Sequence, residues 1–560
     1  MIGIYYNYSK ESMFVPGNTS GAIAPLEEGI QANTIRSGAS EGLNYYVKMS
    51  LDFDRVFRNI HSVNATLGYQ LMSSRREMDW GAGLSKKSDF YKTLGNVDAS
   101  LGRTITGYLN KWNWMDFYLK AKYGFKEQLY LGTTLAMDAA SPYGKSAGRV
   151  VFLPTAQIAW NLKNSTLLQD AYGISRLMLR GEYGVTANSR FSAKYGRYYY
   201  QTEVFRNITG MVRQGLPNTN LKPERVVFGN VGADLGLFGE RFSLSVDLFR
   251  ETTKDLLFDK AMGAAYGYKT MYRNDGELKT DGIEATFHVN LLKKGNFQWY
   301  VGGNIAHAKT TVESLGGQNE KIYTMDNGAV LISRVGEAPY SFYGHVAEKV
   351  FATQSEINRT KYISHSGDAF QVGDIKFRDV NGDRIIGDDD RMVLGNSAPD
   401  FFGGFYTNLT YKGFNLFVNF AYSYGNKVYN AVRKAGESMD GFENQFSTVV
   451  KRWMIDGQQT DMPRAVYGDP MGNSRFSSRW IDDGSFLRMK EVTLSYEFNR
   501  RLWFFNNLKA YLTGENLVTW TKYVGLDPEF GYSYDPMLAG VDMGKVPLPK
   551  MVKLGLVLNF

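Results

Sequence analysis

The sequence predicts an all-β chain, a transmembrane antiparallel β-barrel. Three observations carry this. Apolar and polar residues alternate with period two along most of the chain, short turns alternate with long polar connections, and the chain finishes on the strand-like MVKLGLVLNF. Mean hydropathy is −0.32 and no apolar run reaches the roughly 18 residues of a membrane helix, so helical spans are excluded.

The alternation can be followed strand by strand. Val63, Ala65, Leu67, Tyr69 and Leu71 alternate with Asn64, Thr66, Gly68 and Gln70. Met115, Phe117, Leu119 and Ala121 alternate with Asp116, Tyr118 and Lys120; Phe242, Leu244, Val246 and Leu248 with Ser243, Ser245 and Asp247. Val492, Leu494, Tyr496 and Phe498 alternate with Thr493, Ser495 and Glu497. At the C-terminus Val552, Leu554, Leu556, Leu558 and Phe560 share one face, with Lys553 and Asn559 on the other. Successive strand residues point to opposite faces, so each run presents one face to lipid and one to a lumen. Many runs are about ten residues, enough to cross a bilayer when tilted. About 15 to 18 strands are expected on this pattern.

Short turns are predicted at Lys126–Glu127, Phe238–Glu240, Lys293–Asn296 and Lys412–Gly413, and long loops at 72–93, 187–220, 310–340, 354–399, 427–479 and 521–546. One short turn followed by one long loop is the two-sided plan of an outer-membrane barrel. Tyr (37), Phe (35), Trp (9) and Gly (59) are abundant, as interfacial aromatic girdles require. Cysteine is absent, so there is no disulfide framework. The net charge of +8 is dispersed, with no block of five basic residues, so nucleic acid is not an expected partner. Catalytic motifs are also lacking. The five histidines (His61, His288, His307, His345 and His365) make no HExxH spacing, and no GxSxG is present, although His288 and His307 could face one another across the 293–296 turn.

Six segments, in order, resemble the SusC/RagA family of TonB-dependent outer-membrane transporters. They are NTNLKPERVVFGNVGADLGLFGERFSLSVDLFRETTKDLL from Asn218, NDGELKTDGIEATFHVNL from Asn274, VGEAPYSFYGHVAEKVF from Val335, GDIKFRDVNGDRIIGDDDRMVLGNSAPDFFGGF from Gly373, WIDDGSFLRMKEVTLSYEF from Trp480 and LTGENLVTWTKYVGLDPE from Leu512. The resemblance implies a 22-stranded barrel with a filled lumen. It implies import of glycans or oligopeptides across the outer membrane, with lipid around the barrel, a SusD-like surface lipoprotein as lid, and contact with TonB through a region N-terminal to the barrel. Neither a plug, a TonB segment nor a signal peptide is visible, so residues 1–560 are expected to be the C-terminal part of such a barrel, fewer strands than the family plan and without a plug. A plug-less scaffold or assembly subunit that has lost import is the rival expectation, and an open pore a third.

Two sets of residues are candidates for chemistry. Asp379, Asn381, Asp383, Ile385 (through its carbonyl) and Asp390 approximate the spacing of a calcium loop, with Arg384 where glycine is usual and Gly387 leaving one position to water. The alternative is an Asx-turn loop whose side chains bond local backbone NH groups. Arg488 and Lys490 lie two apart within a strand, beside Glu491, with Glu515 and Asn516 in the next. Charges on the lipid face cost about 2–4 kcal/mol at midplane, so both bases are expected to face the lumen or a plug. Tyr195, Tyr198, Tyr199 and Tyr200 are further candidates for ligand or partner contact, against ordinary loop packing.

Overall fold

The structure is a computed structural model that describes residues 1–16, 33–85, 90, 92–143, 150–188, 191, 193–196, 198–205, 208–268, 270–498, 507–530 and 535–559. Among the described residues sixteen strands make one sheet whose hydrogen-bonded order is the chain order, within the 15 to 18 expected. They are β1 (Ile2–Val15), β2 (Asn33–Phe57), β3 (His61–Ser85), β4 (Arg103–Phe125), β5 (Leu129–Ala140), β6 (Val150–Asn161), β7 (Ile174–Asn188) and β8 (Glu224–Leu237). The series continues with β9 (Phe242–Ala261), β10 (Thr270–Lys294), β11 (Phe297–Leu315), β12 (Phe401–Tyr411), β13 (Phe414–Tyr424), β14 (Phe486–Phe498), β15 (Asn507–Thr521) and β16 (Met551–Asn559).

The chain divides into two compact units. One comprises Met1–Ile158, Glu182–Val227 and Asp255–Asn274; the other comprises Ala159–Gly181, Phe228–Lys254 and Asp275–Phe560.

In the first unit β2 and β3 pair over their whole length, from Asn33↔Ser85 to Phe57↔His61. This corrects the sequence reading, which places a loop at 72–93. The segment SSRREMDW continues the ladder, with Arg75 and Glu77 paired at 2.9 Å along one face. Strands of 25 residues exceed the ten needed to span lipid. Beyond an apolar layer both strand faces meet water, so alternation disappears while the hydrogen bonding persists. The 187–220 segment likewise contains a hairpin, Tyr199–Phe205 with Ile208–Gln214.

The second unit shows the sidedness of the strands most clearly. Leu494 and Leu512 pair directly and each is 48% exposed, whereas Ser495 and Thr513 are 3% and 6% exposed. An apolar face turned out and a polar face buried inverts the pattern of a soluble sheet and suits contact with lipid. Glycines let the inner face fill: a side chain at Gly555 would strike the Tyr511 ring. The expected Ser245 and Asp247 face is confirmed. Arg180 bonds Asp234 (2.9 Å), Asp247 (2.9 Å) and Ser245 (3.2 Å), and Ser245 donates to Asp234 at 2.7 Å. Leu248, next in the strand, is exposed. The tight turn at Lys412–Gly413, with φ of 46° and 88°, joins β12 to β13 as predicted.

A test follows from the inverted faces. Leu494→Arg is expected to cost about 2–4 kcal/mol in the bilayer and to reduce the yield of heat-modifiable, membrane-inserted barrel, with Thr493→Arg much milder because that side chain bonds Thr513 on the inner face. Equal yields from the two variants would refute the assignment of faces.

The long connections β11–β12, β13–β14 and β15–β16 do not run as bare loops. They fold into small sheets, among them Glu320–Thr324, Val330–Arg334, Ser341–Gly344 and Met392–Gly395 in one, and Ile481–Asp483, Lys427–Asn430 and Val541–Asp542 in another. Two buried clusters support them. Phe351, Phe370, Ile375, Phe377 and Ile386 form one; Leu331, Phe342, Tyr429, Trp480 and Val541 form the other. The predicted loops at 310–340, 354–399 and 427–479 are therefore a packed module. Its cores assemble residues far apart in sequence, which local pattern does not reveal. Phe560 lies outside the described residues.

Candidate functional site

The candidate residues Arg488 and Lys490 of the second unit lie where β14 and β15 meet the loop module. Along β14 the pairing with β13 shifts: Met489 pairs with Phe420 but Glu491 with Asn419, so Lys490 is an extra residue. A bulge of this kind reverses the parity of the strand. Arg488, opposite Ala421, therefore shares the face of Glu491 and Thr493, opposite Asn419 and Phe417, although simple alternation would place it with Val492 and Leu494. β15 answers with its own irregularity between Glu515 and Val518, where Asn516 takes φ of 52°.

The bulge delivers Arg488 and Lys490 to the connection that follows β15. Arg488, 3% exposed, donates from Nε to Thr519 Oγ1 (2.9 Å), from Nη2 to Asp527, and places Nη1 2.9 Å from Glu529 Oε2. Lys490 Nζ bonds both oxygens of Glu529 at 2.9 and 3.1 Å. Asp527 also accepts the backbone NH of Glu529 (2.9 Å) and of Leu548 (2.9 Å). Burial pushes the Asp527 carboxyl up, but the bonds from Arg488 and the two NH groups outweigh it and hold it below the usual carboxylate range. The two bases are therefore taken up by this chain's own Asp527 and Glu529, which the sequence reading did not pair with them. LDPE signals the pairing only once the bulge is known. Glu515 pairs with Lys553 of β16 instead.

The Asp-rich segment is a set of Asx turns. Asp379 accepts the NH groups of Gly382 (2.7 Å) and Arg384 (3.0 Å), Asn381 that of Asp383 (3.0 Å), and Asp383 that of Ile385 (2.7 Å). Asp390, fully buried, accepts Val380 NH (2.8 Å) and Gly387 NH (2.9 Å). Arg384 has φ of 67°, the left-handed conformation that the expected glycine would supply. The carboxylates of Asp379, Asp383 and Asp390 each bond backbone NH groups, and among the described residues no three acidic or histidine side chains converge as a metal set. The hydrogen bonds are those of the Asx-turn alternative. Titration of the purified chain with millimolar calcium is accordingly expected to give no binding heat. A saturable heat that disappears in Asp379→Ala would restore the calcium reading.

The module has a polar hub that the sequence reading missed. Asp374, fully buried, accepts Arg464 Nε (2.7 Å), Asn473 Nδ2 (3.0 Å) and the NH of Gln371 (2.8 Å). His345 contacts the Gly387 carbonyl at 2.8 Å, and burial, partly offset by that bond, holds its imidazole below the ordinary range. Neither signal is local, because the partners lie about a hundred or about forty residues away.

Other candidates disperse. His288 pairs with Gly302 and His307 with Ile283, so the two do not face one another; they bond Tyr406 Oη (2.9 Å) and the Asp400 carbonyl (2.6 Å). In the first unit Tyr195 stacks on Tyr272 at 3.7 Å, and Arg213 lies 4.4 Å from the Tyr198 ring. Tyr200 is exposed. The Tyr199 side chain lies outside the described residues.

Strands with apolar outer faces, tight turns at one end and a packed module at the other define an outer-membrane β-barrel. It is SusC/RagA-like, as the sequence motifs indicated. No family model matches the chain. It is 28% identical over 473 residues to TonB-dependent receptor P3 of Formosa agariphila, covering 81% of this chain and 46% of that protein. It is 26% identical over 575 residues to TonB-dependent receptor P26 of the same organism, covering 99% and 57%. Against TonB-dependent receptor SusC of Bacteroides thetaiotaomicron identity is 25% over 580 residues, covering 95% and 53%. The chain thus spans about half the length of the curated relatives it matches. Among solved structures it superposes on the RagAB peptide transporter with TM-score 0.80 at 21% identity, over all of this chain and 59% of that one. These relatives are receptors and transporters rather than enzymes.

Proposed function

We propose that this chain is the barrel portion of a TonB-dependent importer that brings glycans or oligopeptides across the outer membrane, without enzymatic activity, and that a SusD-like surface lipoprotein closes over its loop side. The observation that carries the reading is the module in the second unit. Three connections on one side of the strands are built into two hydrophobic cores, while the Lys412–Gly413 turn on the other side is two residues long. A barrel used only as a scaffold has no need of preformed binding surface on one side; an importer does. RagAB, whose solved structure shares this fold, is a peptide transporter, and SusC of Bacteroides thetaiotaomicron is a TonB-dependent receptor.

Uptake of labelled oligopeptides and glycans is the test. Deleting the natural gene, or abolishing TonB function, is expected to remove uptake of one of these classes, and a surface lipoprotein is expected to co-purify with the barrel. Unchanged uptake together with a defect in the assembly of other envelope proteins would favour the scaffold instead.

A further inference from the structure

Within the loop module of the second unit lies a cavity of about 320 Å³, beside the helix Ala431–Glu437. That volume is near the lower end of the roughly 300–1,000 Å³ typical of small-ligand sites. The apolar clusters of the module are closed and hydrophobic, whereas this cavity is lined largely by charge of both signs.

Its deeper charges are already engaged. Arg433 pairs with Asp482 at 2.8 Å. Arg479 donates to the Asp461 carbonyl at 2.6 Å and lies 3.7 Å from the Glu437 carboxylate, whose other oxygen accepts the Thr448 hydroxyl at 2.7 Å. Both guanidiniums sit over the Trp480 ring, at 5.6 and 4.9 Å. This layer is fixed and already paired.

The rim differs. Lys451 and Asp461 are exposed and line the same cavity. Among the described residues neither the Lys451 ammonium nor the Asp461 carboxylate has a hydrogen-bond or ion-pair partner, and they do not pair with each other; Asp461 feels the Arg479 guanidinium only at a distance. Two opposite charges that face one cavity without meeting are satisfied together by a ligand that carries both signs at a separation. Among the described residues no Phe, Tyr or Trp lines the cavity, so they offer it no flat aromatic face on which neutral sugar rings stack.

We propose that this cavity binds the charged ends of a short zwitterionic peptide, with an ammonium at Asp461 and a carboxylate at Lys451. The inference rests on the import reading and deepens it, choosing peptide over glycan at this site. Taking the exposed Lys451 and Asp461 charges out of water costs desolvation on binding, so recognition requires both ends and not merely one.

Calorimetry on the purified full chain in detergent tests it, with triglycine, its N-acetylated and C-amidated form, and maltotriose as probes. Triglycine is expected to bind saturably, and the doubly capped form at least about tenfold more weakly. Lys451→Gln and Asp461→Asn should each weaken triglycine by about tenfold while leaving the heat-modification temperature of the barrel unchanged, since both side chains are exposed and unpaired. Absence of triglycine binding, equal binding of the free and capped forms, no effect of either substitution, or displacement of triglycine by maltotriose would each overturn the proposal. Because binding is read on purified protein, it can fail while cells still import, and it can hold when uptake in cells does not depend on this chain. The two readings are therefore distinguishable.

Discussion

Arg488→Ala is expected to destabilise the folded chain by about 3–5 kcal/mol, the cost of removing one partner from a buried ion pair. The substitution leaves Asp527, 7% exposed, without its guanidinium, and takes from Thr519 and Glu529 the group that ties β14 to the connection after β15. The measurable result is a lower heat-modification temperature and new protease cleavage within 522–550. Arg488→Lys should recover only part of the loss, because one ammonium cannot meet Thr519, Asp527 and Glu529 at once. The pH dependence has a fixed sign. The folded Asp527 carboxyl titrates below its unfolded value, so its contribution is fully present above about pH 4 and is lost as pH falls through the lower folded value. Without Arg488 the folded carboxyl rises, and acid loosening should begin at higher pH. An unchanged melting temperature together with an unchanged acid profile would show that the clamp is not a stabilising element.

Trp480→Ala should cost a similar amount, about 3–5 kcal/mol, but in a different place. Trp480 is 1% exposed, donates to the Arg475 carbonyl at 3.0 Å, and packs in the cluster of Phe342, Tyr429 and Val541 beneath Arg433 and Arg479. Its loss is expected to open the module to proteases between 425 and 485 while the strands remain inserted and heat-modifiable. If the barrel fails to form at all, the module is not separable from the strands and the assignment of Trp480 to a distinct core is wrong.

The sequence made the strands and turns legible because lipid on one side enforces period two. Leu494 could be assigned outward, and the Lys412–Gly413 turn located, from a few residues each. Legibility ended wherever a second environment took over. At SSRREMDW both faces of a strand meet water and the pattern reads as loop, although the ladder is intact. At Lys490 one inserted residue moves Arg488 to the other face, and no local composition marks the insertion. The candidate site suffered most. The partners of Arg488 lie 31 and 39 residues on, so the sequence named Arg488 without showing what it holds, and the side-chain partners of Asp374 lie 90 or more residues on, so that hub was missed. For the Asp379–Asp390 segment both readings were visible from spacing, and the hydrogen bonds show the Asx turns in place.

Val541 and Asp542 lie parallel to Tyr429 and Asn430, and Gly540 accepts the Tyr429 NH at 2.8 Å. This late contact sets a timetable. Contacts between residues so distant in the chain are slow to form, and none can form before residue 541 has been synthesised. Until then Tyr429 and Trp480 lack one wall of their core, and an interrupted chain carries exposed aromatic surface that proteases and chaperones can recognise. A chain extended past Val541 conceals it. The same pairing that shapes the loop side therefore marks a polypeptide that has been extended past β15 and has β16 still to add.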